Sequence, residues 1–204
     1  MKTYIAILRG INVSGYKIIK MDALRTSFAD LGFVNVKTYV QSGNVIFDTN
    51  NAPTGLPAKI ERKILEEFGF EVPVLTKTAG ELTDIIRQNP LVKDKAIDPS
   101  KLHVTFLSDD PPKNALQLLR PLAGGAEQVG IAGRAVYLYC PNGYGNTKLT
   151  NTAIERKLSC SATTRNWKTT KILLEMAGIP CLHKTGERGD RCKRGAKPPG
   201  FVGK

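Results

Sequence analysis

Over the first 77 residues the apolar positions change period in a definite order, and that order constrains the fold more than any other property of the chain. Thr3 to Leu8 is a short apolar run and reads as a buried strand. Met21, Leu24, Phe28 and Leu31 then recur at helical spacing, and Gly32 followed by Phe33 supplies a helix stop. Val34, Val36, Thr38 and Val40 alternate as a strand does. Gln41-Ser42-Gly43-Asn44 has the composition of a hairpin turn, and Val45-Ile46-Phe47 continues as the next strand. Pro57 opens a second helix whose stripe is Ile60, Ile64, Leu65 and Phe68, ended by Gly69. Val72-Pro73-Val74-Leu75 reads as a fourth strand, at an edge or a strand start because of its proline. The order β-α-β-β-α-β is the ferredoxin-like split βαβ.

The pattern begins again after a connecting helix. Thr78-Ala79-Gly80-Glu81 matches a capping box leading into Leu82, Ile85 and Ile86. Leu102 to Leu107 reads as a strand. Asp110 is expected to cap a helix with Pro111 at its first position. Glu127 to Ala132 and Arg134 to Cys140 are expected strands, and 147–158 an expected helix. A last helix should run from about Trp167 to Ala177, with Trp167 in the core. The expected class is α/β (α+β): a first ferredoxin-like half at 1–77, a second at 78–178 with connecting and C-terminal helices, and a basic tail at 179–204.

Charge separates these parts. Residues 1–140 hold 17 basic and 14 acidic side chains, whereas 141–204 hold 13 basic and 4 acidic, a net +9 of the chain's +12. That asymmetry points to an anionic partner, or simply to a solvated basic surface. The tail, with seven basic and two acidic residues and few large apolar ones, is expected to be mobile. Four cysteines without a C-x-x-C pair, and no signal-peptide core, lead to an expected cytoplasmic location. No membrane span is expected.

Three segments stand out when read together: Ile7-Leu8-Arg9-Gly10-Ile11-Asn12-Val13, then Tyr39-Val40-Gln41-Ser42-Gly43-Asn44-Val45-Ile46-Phe47, then Thr163-Thr164-Arg165-Asn166-Trp167. Together they resemble the signature of an uncharacterised bacterial family, domain of unknown function 1697. The resemblance covers about residues 1–178 and implies an α/β fold with two ferredoxin-like parts. It implies no established activity and no catalytic residues.

The candidate chemistry follows from topology. In a split βαβ unit the loop after the first strand and the turn between the second and third lie at one end. Arg9, Asn12, Ser14, Lys17 and Lys20 should therefore face Gln41, Ser42 and Asn44 across one rim. With no carboxylate, His or Cys, that set suits anion binding better than acid–base catalysis. The competing reading is that Asn12 and Asn44 only tie down their own loops. Pro141 to Lys148 lies between a strand and a helix, where backbone N–H groups can meet a phosphate or form an ordinary Asn-Gly turn. Arg165 stands at a helix start, where the dipole disfavours a cation without an anionic partner, and Asn166 or Thr164 is the expected cap. His103 has no nameable catalytic partner. Cys181, His183 and Cys192 lack a fourth ligand, so neither a metal nor a cofactor is expected. The leading expectation is binding of a phosphate-bearing ligand, a nucleotide or RNA, by Arg9, Asn12, Lys17, Gln41, Ser42, Asn44, Lys148, Arg165 and Asn166. The alternatives are an enzyme acting on a small anionic substrate at the same rim, and a scaffold without chemistry.

Overall fold

A computed structural model describes residues 1–180. The chain opens with β1 (Lys2–Leu8), α1 (Met21–Asp30), β2 (Val34–Tyr39), β3 (Asn44–Thr49), α2 (Leu56–Phe68) and β4 (Val74–Thr78). It continues with α3 (Ala79–Arg87), β5 (Leu102–Leu107), α4 (Ala115–Leu119), β6 (Gln128–Ala132) and β7 (Ala135–Tyr139), then α5 (Asn151–Leu158), β8 (Ala162–Asn166) and α6 (Trp167–Met176). The fold is mixed α/β, with two antiparallel four-stranded sheets in the orders β2-β3-β1-β4 and β6-β7-β5-β8.

Three cores alternate with the two sheets. Tyr4, Ala6 and Leu8 of β1 face Leu24 and Phe28 of α1 and Ile60 and Ile64 of α2. Ile5 and Ile7 point the other way, into a core shared with Leu82 and Ile85 of α3, Val104 and Phe106 of β5, Tyr137 of β7, and Trp167 and Leu173 of α6. Val136 and Leu138 turn outward onto α4 and α5, against Leu119, Ile154 and Leu158. A strand covered on both faces needs apolar residues at both parities, which is why β1 reads as an unbroken run. The central core joins the two sheets, with α3 and α6 packed between them. Tyr137 Oη donates to Ile85 O at 2.7 Å, satisfying a phenol that burial pushes well above its ordinary pKa.

The two sheets repeat one set of hydrogen bonds. Leu8 N donates to Gly43 O and Leu107 N to Arg134 O; Arg9 N donates to Pro73 O and Ser108 N to Ser161 O. Glu61 of α2 accepts from Val74 N, and Glu155 of α5 accepts from Ala162 N. Lys77 sits opposite Ile5, and Arg165 opposite Val104, the third residue before the last in β1 and β5 respectively. Each cation directly precedes an N-cap, Thr78 of α3 or Asn166 of α6.

Local details depart from the sequence reading. Asp110 caps no helix: Arg134 takes its carboxylate through two bonds of 3.0 Å, and α4 begins only at Ala115. The helix expected from 147 starts at Asn151, because Thr147 Oγ1 accepts from Leu149 N and Thr150 is the cap. Strand β4 starts after Pro73, which has no N–H to give a ladder. β8 is a strand that the sequence reading took for a helix entry. The tail from 181 onward, with Cys181, His183 and Cys192, lies outside the described residues.

Candidate functional site

The rim is built from a backbone with many left-handed turns. Gly10, Asn12, Ser14, Gly15 and Lys17 all have positive φ, as does Val40 in the β2–β3 turn. Asn tolerates this conformation, and Asn12 holds the loop in place. Its Oδ1 accepts from Ile19 N at 2.8 Å, while its Nδ2 donates to Ile19 O at 3.0 Å and Gln41 O at 2.8 Å. The loop after β1 and the β2–β3 turn are thus in direct contact. Ile11 and Ile19 are buried beneath the loop, but Val13, Tyr16 and Ile18 stay outside, Tyr16 at 75% exposed, and Val40 of the turn is exposed as well.

Arg165 joins this rim to the second sheet. Its Nε donates to Asn44 Oδ1 at 2.6 Å and its Nη2 to Leu8 O at 2.6 Å and Ser42 O at 2.7 Å; Nη1 donates to Thr164 O at 2.8 Å. Asn44 is itself fixed by Nδ2 bonds to Tyr39 O and Ser42 Oγ. The cation has turned away from the α6 terminus and answers to neutral oxygens. Burial pushes its pKa down to about 10, which leaves it charged at neutral pH. Beside it Arg9 Nη1 meets Glu155 Oε1 at 2.5 Å. Thr164 Oγ1 donates to Asn151 Oδ1 at 2.6 Å and accepts from Tyr144 Oη at 3.1 Å.

The structure therefore brings Arg9, Asn12, Gln41, Ser42, Asn44 and Arg165 to one end of the molecule, with the start of α5 beside them. Lys17 Nζ is turned to Glu71 O. Asn166 caps α6, its Oδ1 accepting from Thr169 N at 2.7 Å. Lys148 and Lys20 are exposed, and neither ammonium has a hydrogen-bond or ion-pair partner among the described residues. The exposed tip formed by Val13, Tyr16 and Ile18 was not expected: Ile11 and Ile19 stand in the same loop off any regular period, and they are buried.

Acid–base groups nearby are committed elsewhere. Glu155 holds both Arg9 and Ala162 N. The His103 ring stacks on Tyr144 at 5.0 Å, and burial lowers its pKa, so it is neutral at pH 7. The Cys140 thiol is pushed up to about 11 by burial, leaving it protonated and unreactive. Among the described residues no group of His, Cys, Asp and Glu is placed to hold a metal ion, and no helix is long and apolar enough to cross a membrane.

A family model described as "Protein of unknown function (DUF1697)" matches residues 1–137 and so ends within β7. Among solved structures, conserved bacterial protein SP0830 from Streptococcus pneumoniae is similar, with a TM-score of 0.69 at 19% identity. The match covers 86% of this chain and 98% of that chain, a likeness of fold. No curated protein matches the chain.

Proposed function

The chain belongs to the DUF1697 family of proteins of unknown function, and on that premise we propose that it is a cytoplasmic protein binding a phosphate-bearing ligand, a nucleotide or single-stranded RNA, at the rim. The observation that carries this reading is the exposed tip of Val13, Tyr16 and Ile18 on the loop that ends at exposed Lys20, whose ammonium has no partner among the described residues. An exposed aromatic ring with a cation on the same loop is a combination suited to stacking a base and holding its phosphate. Asn12, Gln41, Ser42, Asn44 and Arg165 then act beneath the ligand, fixing the backbone that presents the tip, with Arg9 and Lys17 at its margin.

We read each sheet with its outer helices as a ferredoxin-like unit. RNA-recognition modules of that kind stack bases on the open sheet face. Here that face of both sheets carries Ile5, Ile7, Val104 and Phe106 and is buried in the central core. The loop rim is therefore where we place this ligand. Binding is favoured over catalysis because Glu155, the carboxylate beside the rim, is held by Arg9 and a backbone amide.

Fluorescence anisotropy with a labelled single-stranded RNA oligonucleotide tests this. Binding at about 50 mM salt should weaken as salt rises, by roughly 0.7 in log affinity per log salt for each phosphate contact. Tyr16→Ala should cost about 1–3 kcal/mol of affinity and little stability. Absence of binding at low salt to both the RNA and a labelled nucleotide would remove the proposal.

A further inference from the structure

The repeated hydrogen bonds lead to a second place in the fold, independent of the rim. Arg165 reaches the carbonyl of Leu8, the last residue of β1; Lys77, its counterpart on β4, reaches the carbonyl of Leu107, the last residue of β5. The two positions are filled very differently. Arg165 has four good acceptors. Lys77 is only 5% exposed, and among the described residues its ammonium has one acceptor, Leu107 O at 3.4 Å.

The reason lies in the neighbouring strand. Asn44, opposite Ile7 in the first sheet, gives Arg165 an amide oxygen. The matching position opposite Phe106 is Ala135, which offers a methyl group. An ammonium is also shorter than a guanidinium. What remains is a cleft of about 300 Å³ lined by Lys77 together with Glu81, Ser108, Arg134 and Ser161. A buried ammonium with unused protons is costly unless an acceptor arrives.

No nearby carboxylate is bonded to that ammonium among the described residues, and Glu61, which also lines the cleft, accepts from Val74 N. Glu81 Oε2 accepts from Thr78 N and Thr78 Oγ1. Asp110 is held by Nε and Nη2 of Arg134, which leaves Arg134 Nη1 free of described partners. Burial pushes the Lys77 pKa down and Arg134 adds to that, while Glu81, Asp110 and Asp109 pull it back up. Those acidic neighbours disfavour a multiply charged anion such as phosphate. A monoanion with two planar oxygens satisfies one ammonium and one free guanidinium N–H.

We propose that this cleft binds a small monocarboxylate, its oxygens accepting from Lys77 Nζ and Arg134 Nη1. The site is separate from the rim, so either can be empty while the other is filled.

The probes are sodium acetate and sodium pyruvate, with sodium chloride at equal ionic strength and inorganic phosphate as controls, read by thermal shift and by amide NMR. Acetate or pyruvate should raise the melting temperature saturably and shift the amides of Lys77, Ser108 and Arg134, where phosphate and chloride should not. Lys77→Met should abolish the effect. Arg134→Gln, on an exposed side chain, should weaken it about tenfold with the fold intact, the loss of one charge-assisted bond, and serves if Lys77→Met does not fold. Affinity should fall as pH is raised and Lys77 loses its proton. No saturable response to either carboxylate, an equal response to phosphate, or an unchanged response in Arg134→Gln would overturn the proposal.

Discussion

Gly43 shows how tightly single positions are held at the rim. Its φ is +79°, and a Cβ built there would lie 2.7 Å from Leu8 Cβ and 2.9 Å from Ile11 Cδ1, against buried side chains that cannot retreat. Gly43→Ala should therefore cost about 2–4 kcal/mol, roughly 5–10 °C in melting temperature, measurable by calorimetry; an unchanged melting temperature would mean that the turn is free to shift. Lys77 makes the complementary case, a charge that folding buries. Its folded pKa lies below the ordinary 10.5, chiefly through burial. Between the lowered value and 10.5 the unfolded chain binds more protons, so stability rises with pH across that window. Urea titrations should show Lys77→Met more stable than the parent at pH 7, with the gap narrowing towards pH 10 as the parent loses its buried charge. A gap that is constant with pH would indicate that the ammonium is solvated. Neither residue's role was legible in the sequence, because a close approach and a burial depend on partners far along the chain.

Whole elements were legible where local chemistry decides them. Thr78 and Glu81 read as a capping box, and both reciprocal bonds are present at α3, at 3.1 and 2.7 Å. Thr78→Ala should cost about 0.5–2 kcal/mol and speed hydrogen exchange at the start of α3; unchanged exchange there would show that packing alone holds the helix. Strand β5 was legible with its observed bounds because Leu102, Val104 and Phe106 alternate with His103 and Thr105, and that apolar face is buried in the central core. β8 was missed for the opposite reason. Thr163, Thr164, Arg165 and Asn166 are polar, and in sequence they look like the approach to a helix. In the structure β8 is an edge strand, so its ladder to β5 needs one neighbour and tolerates polar side chains, and Arg165 is held from outside the strand by Asn44 and Leu8. Asp110 misled for a similar reason, its carboxylate being drawn to Arg134, 24 residues further on.

At the scale of the molecule, the apolar run of β1 marked it as a buried strand but did not say what covers it. Ile5 and Ile7 required a partner for the inner face of the first sheet, and only the fold shows it to be α3, α6 and the second sheet. That the loop after β1 and the β2–β3 turn lie at one end followed from strand direction alone, and Asn12 bonded to Gln41 O is the contact between them. The rim's exposed tip was not anticipated, because nothing local distinguishes Tyr16, left in solvent, from Ile19, buried three residues later. Burial of both inner sheet faces leaves this rim as the surface on which the functional reading depends. The most direct test is an amide NMR titration of the protein with single-stranded RNA. Progressive shifts are expected at Gly10, Gly15, Tyr16 and Gly43, with the central-core amides of Ile5 and Val104 unmoved. Shifts confined to other surfaces, or none at low salt, would contradict it.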